Sequence, residues 1–269
     1  MAAAALRAIS RMRLPLEPGV LQRALGSGEP LLRDAAIMAG LMGGHRSAWA
    51  ACRAAVESRA PAVRLPLLLL GLGGDERDAK LLLELLSDEV LQADVLWALG
   101  FTGRVAAADA CLELMWKKPV AALAGEAFSA ITGLRIEGPY AASPEESEES
   151  IPLEQEDLDA DLVPKPEDAL PLPQASAVAA GWQEVRPNLD PQQRYLAGQP
   201  FTPQALLDAL TRAPMRRRHA LALELALRSR GAIQVPTRAF VEHQVSALKQ
   251  ARSASPSTFS RPFADGLRS

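Results

Sequence analysis

The stretch Trp97-Ala98-Leu99-Gly100-Phe101-Thr102-Gly103 decides the fold class, because its Gly-x-x-Gly ending recurs upstream in the chain. The two other copies run from Gly40 to Gly43 and from Gly71 to Gly74. Successive copies begin about 30 residues apart. A constant period of this length is the sequence signature of stacked structural repeats.

The residues after each second glycine keep one helical register. Counted from that glycine, the offsets +5, +8, +9 and +12 fall on a single face of an α-helix. All twelve residues at these offsets are apolar. They are Ala48, Ala51, Cys52, Ala55, Ala79, Leu82, Leu83, Leu86, Ala108, Cys111, Leu112 and Met115. Each copy therefore predicts an amphipathic helix directly after the turn.

A second helical segment precedes each turn. The sequence predicts helices over residues 30–39, 61–70 and 89–99, and a fourth over residues 119–132. Proline is tolerated in the first turn of a helix, and glycine commonly ends one. Pro66 lies inside the second of these segments and therefore predicts a kink there.

The composition agrees with an all-α fold. Hydrophobic residues make up 48% of the 269-residue chain but aromatic residues only 4%, so leucine, alanine and valine must fill the interior. These residues pack well between closely spaced helices. Trp97 and Trp116 are expected in this interior or at its margin. We predict an α-solenoid of helical hairpins, in which stacked neighbours bury the apolar stripe of each unit.

An acidic segment interrupts the helical pattern. Between Ser143 and Asp168, eleven acidic residues face a single lysine, Lys165. Mutual repulsion and low hydrophobicity predict a disordered linker there. The predicted organisation is a repeat domain over residues 1–142, an acidic linker over 143–169, a C-terminal helical segment over 170–251 and a flexible tail over 252–269.

The C-terminal segment is also expected to be helical. Helices are predicted over residues 173–186, 203–212, 214–229 and 237–251. Thr202 is a typical N-cap residue, because its side chain can accept a hydrogen bond from the first turn of the helix that follows.

Several strings resemble known families. The Trp97–Gly103 stretch is similar to the HEAT-like repeats found in phycobilisome lyases. Other strings resemble a bacterial family of HEAT-repeat proteins that tend to be encoded near type VI secretion genes. Those strings are Gln193-Arg194-Tyr195-Leu196-Ala197-Gly198-Gln199-Pro200, Arg216-Arg217-Arg218, Ala222-Leu223-Glu224-Leu225-Ala226-Leu227 and Ala124-Gly125-Glu126-Ala127-Phe128-Ser129-Ala130-Ile131-Thr132-Gly133.

The second resemblance implies HEAT-like hairpins and an accessory or adaptor role, and it brings no catalytic residues. Members of that family begin with a longer N-terminal stretch. The resemblance therefore also implies that this chain is a short form or has a late start.

Charge, cysteine usage and hydropathy limit the function classes. The net charge of −3 disfavours a nucleic-acid partner, because such proteins need a positive field. Cys52 and Cys111 form neither a disulfide framework nor a metal-ligand spacing, which is typical of the cytoplasm. The most apolar run, residues 67–72, is far shorter than a bilayer span requires, so we expect no membrane helix.

The sequence contains no recognisable catalytic, cofactor or metal site. A cysteine nucleophile needs a nearby histidine and an orienting acid. His45, His219 and His243 lie on scattered segments and show no zinc-like spacing. The carboxylates within residues 75–78 suit the positive end of a helix. We therefore expect a non-enzymatic protein without a cofactor.

The leading hypothesis is a protein-interaction scaffold or adaptor, accessory to a type VI secretion system. Stacked repeats offer an extended face to a protein partner. Two simpler interpretations stay open: Trp49 packs at the edge of the core, and the second basic patch faces solvent or meets the acidic linker. The residues predicted to contact a partner are Arg46, Trp49, Arg53, Arg77, Lys80 and Glu84, with a second patch of Arg216, Arg217 and Arg218.

Two other hypotheses belong to different classes. One is a lyase-like or nucleic-acid-acting enzyme on a HEAT-like solenoid, which requires a pocket of converging ionisable groups or a continuous basic groove. The other is regulatory: the acidic linker and the helix carrying residues 216–218 close on one another and control access.

Overall fold

The computed structural model describes residues 1–143 and 167–267, and almost all of their regular structure is α-helical. The prediction of an all-α fold is therefore confirmed. The predicted acidic linker falls largely on residues 144–166, which lie outside the described residues. Within the described part of the chain, no helix combines the length and the apolar character needed to cross a membrane.

The helices divide into those before and those after the acidic segment. Before it lie α1 (Ala2–Met12), α2 (Pro18–Leu25), α3 (Pro30–Gly43), α4 (Arg46–Glu57), α5 (Arg64–Gly73), α6 (Glu76–Leu85), α7 (Gln92–Thr102), α8 (Val105–Leu114) and α9 (Lys118–Thr132). After it lie α10 (Ala175–Val185), α11 (Pro203–Arg212), α12 (Met215–Arg228) and α13 (Val241–Ser253). Between α10 and α11, two short antiparallel strands pair, β1 (Tyr195–Leu196) and β2 (Gln199–Pro200).

Each Gly-x-x-Gly copy lies at the junction of two packed helices, as predicted. α3 packs on α4, α5 on α6 and α7 on α8. All twelve apolar positions of the register are buried or half-buried. Leu83 and Leu112 are half-buried and pack against the main core. The local pattern therefore predicted both the hairpins and their inward faces.

The first helices of neighbouring hairpins lie side by side. α5 contacts α7, and α7 contacts α9. Gly71 permits the close approach, because a Cβ at this position would lie 2.2 Å from the carbonyl oxygen of Ala98. The helix continues past Gly71 to Gly73. The first glycine of this copy therefore serves helix packing rather than the end of the helix.

The predicted kink at Pro66 rested on a wrong helix start. α5 begins at Arg64, not at Pro61, so Pro66 lies in its first turn. The N–H groups of a first turn have no carbonyl partner within the helix. Proline at this position therefore removes no hydrogen bond of the helix and gives no reason for a bend.

The C-terminal helices pack onto the hairpins and share their core. Val178 of α10, Leu206 of α11 and Leu225 of α12 belong to the buried apolar cluster that also runs through α4 to α9. α12 contacts both α3 and α5. The Thr202 hydroxyl accepts a hydrogen bond of 3.0 Å from the N–H of Ala205, which confirms the predicted cap of α11.

Two aromatic side chains are buried within the described part of the tail, residues 252–267, for which the sequence predicted a flexible end. Phe259 and Phe263 are only 1% and 5% exposed. The Arg228 side chain donates a hydrogen bond of 3.3 Å to the carbonyl of Ser260. Burial of these two rings favours packing of the segment, because it removes apolar surface from water. This part of the tail is therefore part of the fold.

Candidate functional site

The predicted partner surface is only partly accessible. Arg46, Arg77, Lys80 and Glu84 are exposed. Trp49 is buried, and its ring lies edge to face against another aromatic ring. The prediction that Trp49 offers an exposed contact was wrong, because the C-terminal tail covers it. The alternative interpretation, in which Trp49 packs at the core, agrees with this burial.

Arg53 is occupied within the molecule. Its guanidinium donates to both carboxylate oxygens of Asp78, at 2.7 and 2.6 Å, and to Asp75 at 3.1 Å. Asp75 and Asp78 also form the capping box that starts α6. Arg53 therefore joins α4 to the start of α6 through these hydrogen bonds, and its guanidinium is not available to a partner.

Two exposed apolar side chains lie on the loops after α6 and α8, which an ion pair joins. The ammonium of Lys117 lies 3.1 Å from the carboxylate of Glu89, which joins the two loops. Val90 is 90% exposed and Trp116 is 66% exposed. The expectation that Trp116 lies in the interior or at its margin was wrong: Trp116 is exposed, and it was not among the residues predicted to contact a partner.

Three of the predicted contact residues share one exposed side of α6. Arg77, Lys80 and Glu84 follow the i, i+3, i+7 spacing that places them on one side of the helix. The loop with Val90 follows the end of α6. We call Arg77, Lys80, Glu84, Val90 and Trp116 together the α6 face.

Arg216 and Arg217 face the interior rather than solvent. Arg217 is buried and donates 3.2 Å hydrogen bonds to the carbonyl of Gly100 and to Glu126. Burial lowers the pKa of Arg217, while the charge of Glu126 opposes that shift. Both guanidinium groups lie over the Trp97 ring, at 4.6 Å for Arg216 and 5.1 Å for Arg217. The cationic groups therefore join α12 to α7 and α9.

One described residue of the acidic segment reaches this cluster. Glu167 lies 3.4 Å from Arg216 and 3.3 Å from Arg64 of α5. The third arginine, Arg218, donates to the carbonyl of Ala213. The second basic patch is thus engaged inside the molecule, and the interpretation that it meets the acidic segment holds for Glu167.

The two thiols are buried and unpaired. Burial raises the pKa of Cys52 far above its ordinary range and that of Cys111 to about 12. Only the thiolate form of cysteine is nucleophilic. Within residues 1–143 and 167–267, no group of three or more His, Cys, Asp and Glu side chains could hold a metal ion.

The residues around Arg194, which carry part of the family resemblance, cross the ends of two helices. Arg194 donates to the carbonyl of Leu72 at 3.2 Å and to that of Phe101 at 3.0 Å, in the last turns of α5 and α7. A cation there complements the negative helix ends. The backbone N–H of Tyr195 donates to Gly103 at 2.7 Å. We call residues 193–201 the hairpin segment.

The hairpin segment also covers the end of α9. The N–H groups of Ala197 and Gly198 donate to carbonyls in the last turn of that helix, at 2.8 and 2.9 Å. A Cβ at Gly133 would lie 2.6 Å from the carbonyl oxygen of Ala197. The turn glycine therefore leaves room for the backbone of the hairpin segment as well as adopting a positive φ of 78°.

A buried charge network anchors this segment to α12. Glu224 is fully buried and accepts hydrogen bonds from Arg194 at 2.6 and 2.9 Å and from Arg228 at 2.7 Å. Both guanidinium groups lie over the Phe201 ring, at 4.1 and 4.5 Å. Burial raises the pKa of Glu224, but the two arginines lower it further, so its pKa stays below the ordinary value.

Arg228 borders two cavities. The smaller, of about 170 Å³, is lined by the ends of α5 and α7 and by the hairpin segment. The larger, of about 390 Å³, lies between the ends of α1 and α12 and the tail. We call the larger one the arginine cavity, because Arg13, Arg228, Arg230 and Arg261 line it.

Sequence reasoning missed these arginines. The string around Arg194 stood out only through a resemblance, and nothing local set Arg13 or Arg261 apart. No helix was predicted before Arg13, and the helix predicted over residues 214–229 has an ordinary glycine, Gly231, near its end, so Arg230 did not stand out either.

Comparison with known proteins gave no relative for this chain: no family model matches it, and neither a curated protein nor a solved structure does.

Proposed function

We propose that the chain is a non-catalytic scaffold that binds a protein partner along the α6 face. The packing of first helices α5, α7 and α9 supports stacking as an α-solenoid of HEAT-like hairpins. α6 also contacts α8, so the second helices form a neighbouring layer. Such layers expose one side of each second helix to a partner.

The observation that carries this proposal is the exposure of Trp116 and Val90 beside the charged stripe of α6. Tryptophan is among the residues that contribute most to binding at protein interfaces. Among the described residues, Arg77 and Lys80 form exposed ion pairs with Glu57 and Glu76. Exposed ion pairs contribute little stability, so both cations can exchange partners at low cost.

This arrangement indicates the chemistry of the partner. Arg77 and Lys80 put two cations near the start of α6, each in an exposed ion pair, and the loops with Val90 and Trp116 are apolar. A matching partner segment carries carboxylates at one end and an apolar anchor at the other. The resemblance to a family encoded near type VI secretion genes supports a partner in a secretion machine, and two unpaired buried thiols support a cytoplasmic setting.

Affinity capture with the full chain tests the proposal. A specific partner is expected to bind the wild type and to bind Trp116→Ala at least about tenfold more weakly, because an interface tryptophan is typically a hot spot. Lys80→Glu should slow association and reduce its dependence on salt. Both effects are read from binding kinetics with the captured partner.

Matched surface variants serve as controls. Phe240→Ala removes another exposed aromatic ring, and Lys249→Glu reverses another exposed charge, both near or on α13. These two variants should bind as the wild type does. Binding that tolerates Trp116→Ala would exclude the α6 face, and the absence of any specific partner would count against the scaffold itself.

A further inference from the structure

The arginine cavity gathers more positive charge than the described residues around it neutralise. Within residues 1–143 and 167–267, no carboxylate lines it. Arg13 and Arg261 are exposed and make no ion pair with the described residues. Arg228 pairs with Glu224, but Arg194 shares that carboxylate, so two cations face one anion. The exposed Asp265 acts on Arg228 from outside the lining.

We propose that the arginine cavity binds a small molecule that carries a diphosphate or polyphosphate group. Guanidinium groups present paired N–H donors whose geometry matches phosphate oxygens. Several arginines around one cavity suit a ligand with more than one negative charge. This site lies between α1, α12 and the tail, shares no residue with the α6 face, and does not depend on the proposed scaffold function.

Two of these arginines adopt an unfavourable backbone conformation. Arg13 has φ of 55° and Arg230 has φ of 49°, in the left-handed region that costs a side-chain-bearing residue about 1 kcal/mol. Glycine occupies the position of Arg13 after α3, α7 and α9, whereas Arg230 is the second residue after α12 and is itself followed by Gly231. A glycine after α1 or α12 would relieve the strain but remove the cation. Arg59, Ala62 and Ala197 share this conformation outside the cavity, so the strain accompanies the two arginines but does not by itself mark a ligand site.

The walls of the cavity fit a phosphate with an attached apolar body. Its volume of about 390 Å³ is in the range of small-molecule sites. The hydroxyl-bearing residues Ser257 and Thr258 line it beside the arginines. Apolar wall positions are taken by Leu41, Leu227, Phe263 and Leu267. A nucleoside diphosphate combines both kinds of surface.

Hydrogen bonds hold together the elements around the arginine cavity. Arg230 donates to the carbonyl of Gly266, which joins the end of α12 to the tail. Gln234 donates to the carbonyl of Arg11 at 3.0 Å, which fixes the end of α1 beside the end of α12. The elements that carry Arg13 and Arg230 are thus held together before any ligand arrives. Such preorganisation reduces the entropic cost of binding.

Isothermal titration calorimetry on the full chain tests the proposal, with inorganic pyrophosphate and ADP as separate probes at about 0.15 M salt. We expect saturable binding at one site for at least one probe. The double variant Arg13→Gln/Arg261→Gln should lose about a hundredfold in affinity, because each lost charge-assisted contact costs about tenfold. If ADP binds more tightly than pyrophosphate does, the adenine base contacts the apolar walls.

The control is Arg135→Gln, which removes an exposed arginine at the end of α9, outside the cavity. It should retain wild-type affinity. The thermal midpoint without ligand should stay unchanged in both variants, because all three arginines are exposed. The proposal is overturned if neither probe binds, or if Arg135→Gln weakens binding as much as the double variant does.

Discussion

Trp49 of α4 and Phe263 of the tail meet edge to face, with ring centres 5.4 Å apart and ring planes at 88°. Phe263 also packs over Gly73, where a Cβ would come within 2.2 Å of the ring. The tail therefore closes over the first two hairpins. Residues at opposite ends of the chain share one buried aromatic contact, which makes stability depend on the C-terminal end.

Phe263→Ala should lower the free energy of unfolding by about 3 kcal/mol, because it removes a buried ring and leaves a cavity beside Trp49. Equilibrium unfolding in urea measures the change. Phe240→Ala is the matched control, since that ring is 84% exposed and its loss should cost less than about 0.5 kcal/mol. Equal losses in the two variants would mean that the tail is not part of the cooperative fold.

The tail also shows where sequence reasoning stops. The hairpins could be predicted because a helical stripe repeats within a few turns, as Leu82 and Cys111 illustrate. The burial of Trp49 could not, because the ring that covers it is far along the chain. The composition of residues 252–269 indicated a flexible end. Two phenylalanines within this segment are nevertheless buried against the helices.

The prediction that Arg216, Arg217 and Arg218 contact a partner failed for a related reason. A run of three arginines is usually solvated. Here Arg217 is buried, because Glu126, Gly100 and two aromatic rings from other helices supply its partners. Those partners can be identified only once α12 is placed against α7 and α9. The exposed stripe of α6, by contrast, followed from local spacing alone.

Gly103→Ala should destabilise the protein by about 3 kcal/mol. Gly103 has φ of 66°, and an added Cβ would lie 2.2 Å from the carbonyl oxygen of Tyr195, so the hairpin segment must move. Gly138→Ala measures the cost of the positive φ alone, because Gly138 has φ of 56° but no atom lies within 4 Å of its Cβ position. It should cost about 1 kcal/mol. Thermal unfolding of both variants checks the difference, and similar losses would show that the hairpin segment does not press on α7.

The two thiols should be inert in the native protein. Cys52 and Cys111 are fully buried, and burial keeps their pKa values far above pH 8. Ellman's reagent at pH 8 should therefore detect almost no reaction within minutes, and both thiols after unfolding in guanidinium chloride. A rapid stoichiometric reaction of the native chain would contradict this packing and revive a nucleophilic role for the reacting cysteine.

Glu224 should give the protein a distinct acid sensitivity. Burial raises its pKa and the charges of Arg194 and Arg228 lower it, with a net value below the ordinary 4.5. A carboxylate with a lowered folded-state pKa adds stability that is complete above about pH 4.5 and is lost as the pH falls through the folded value. Glu224→Gln should cost about 3 kcal/mol at pH 7, because two buried cations lose their counter-charge. The difference from the wild type should shrink as the pH approaches 3 in urea unfolding, while the exposed-site control Glu84→Gln shows little change at either pH. A gap that stays constant between pH 7 and pH 3 would mean that Glu224 is not charged in the native state.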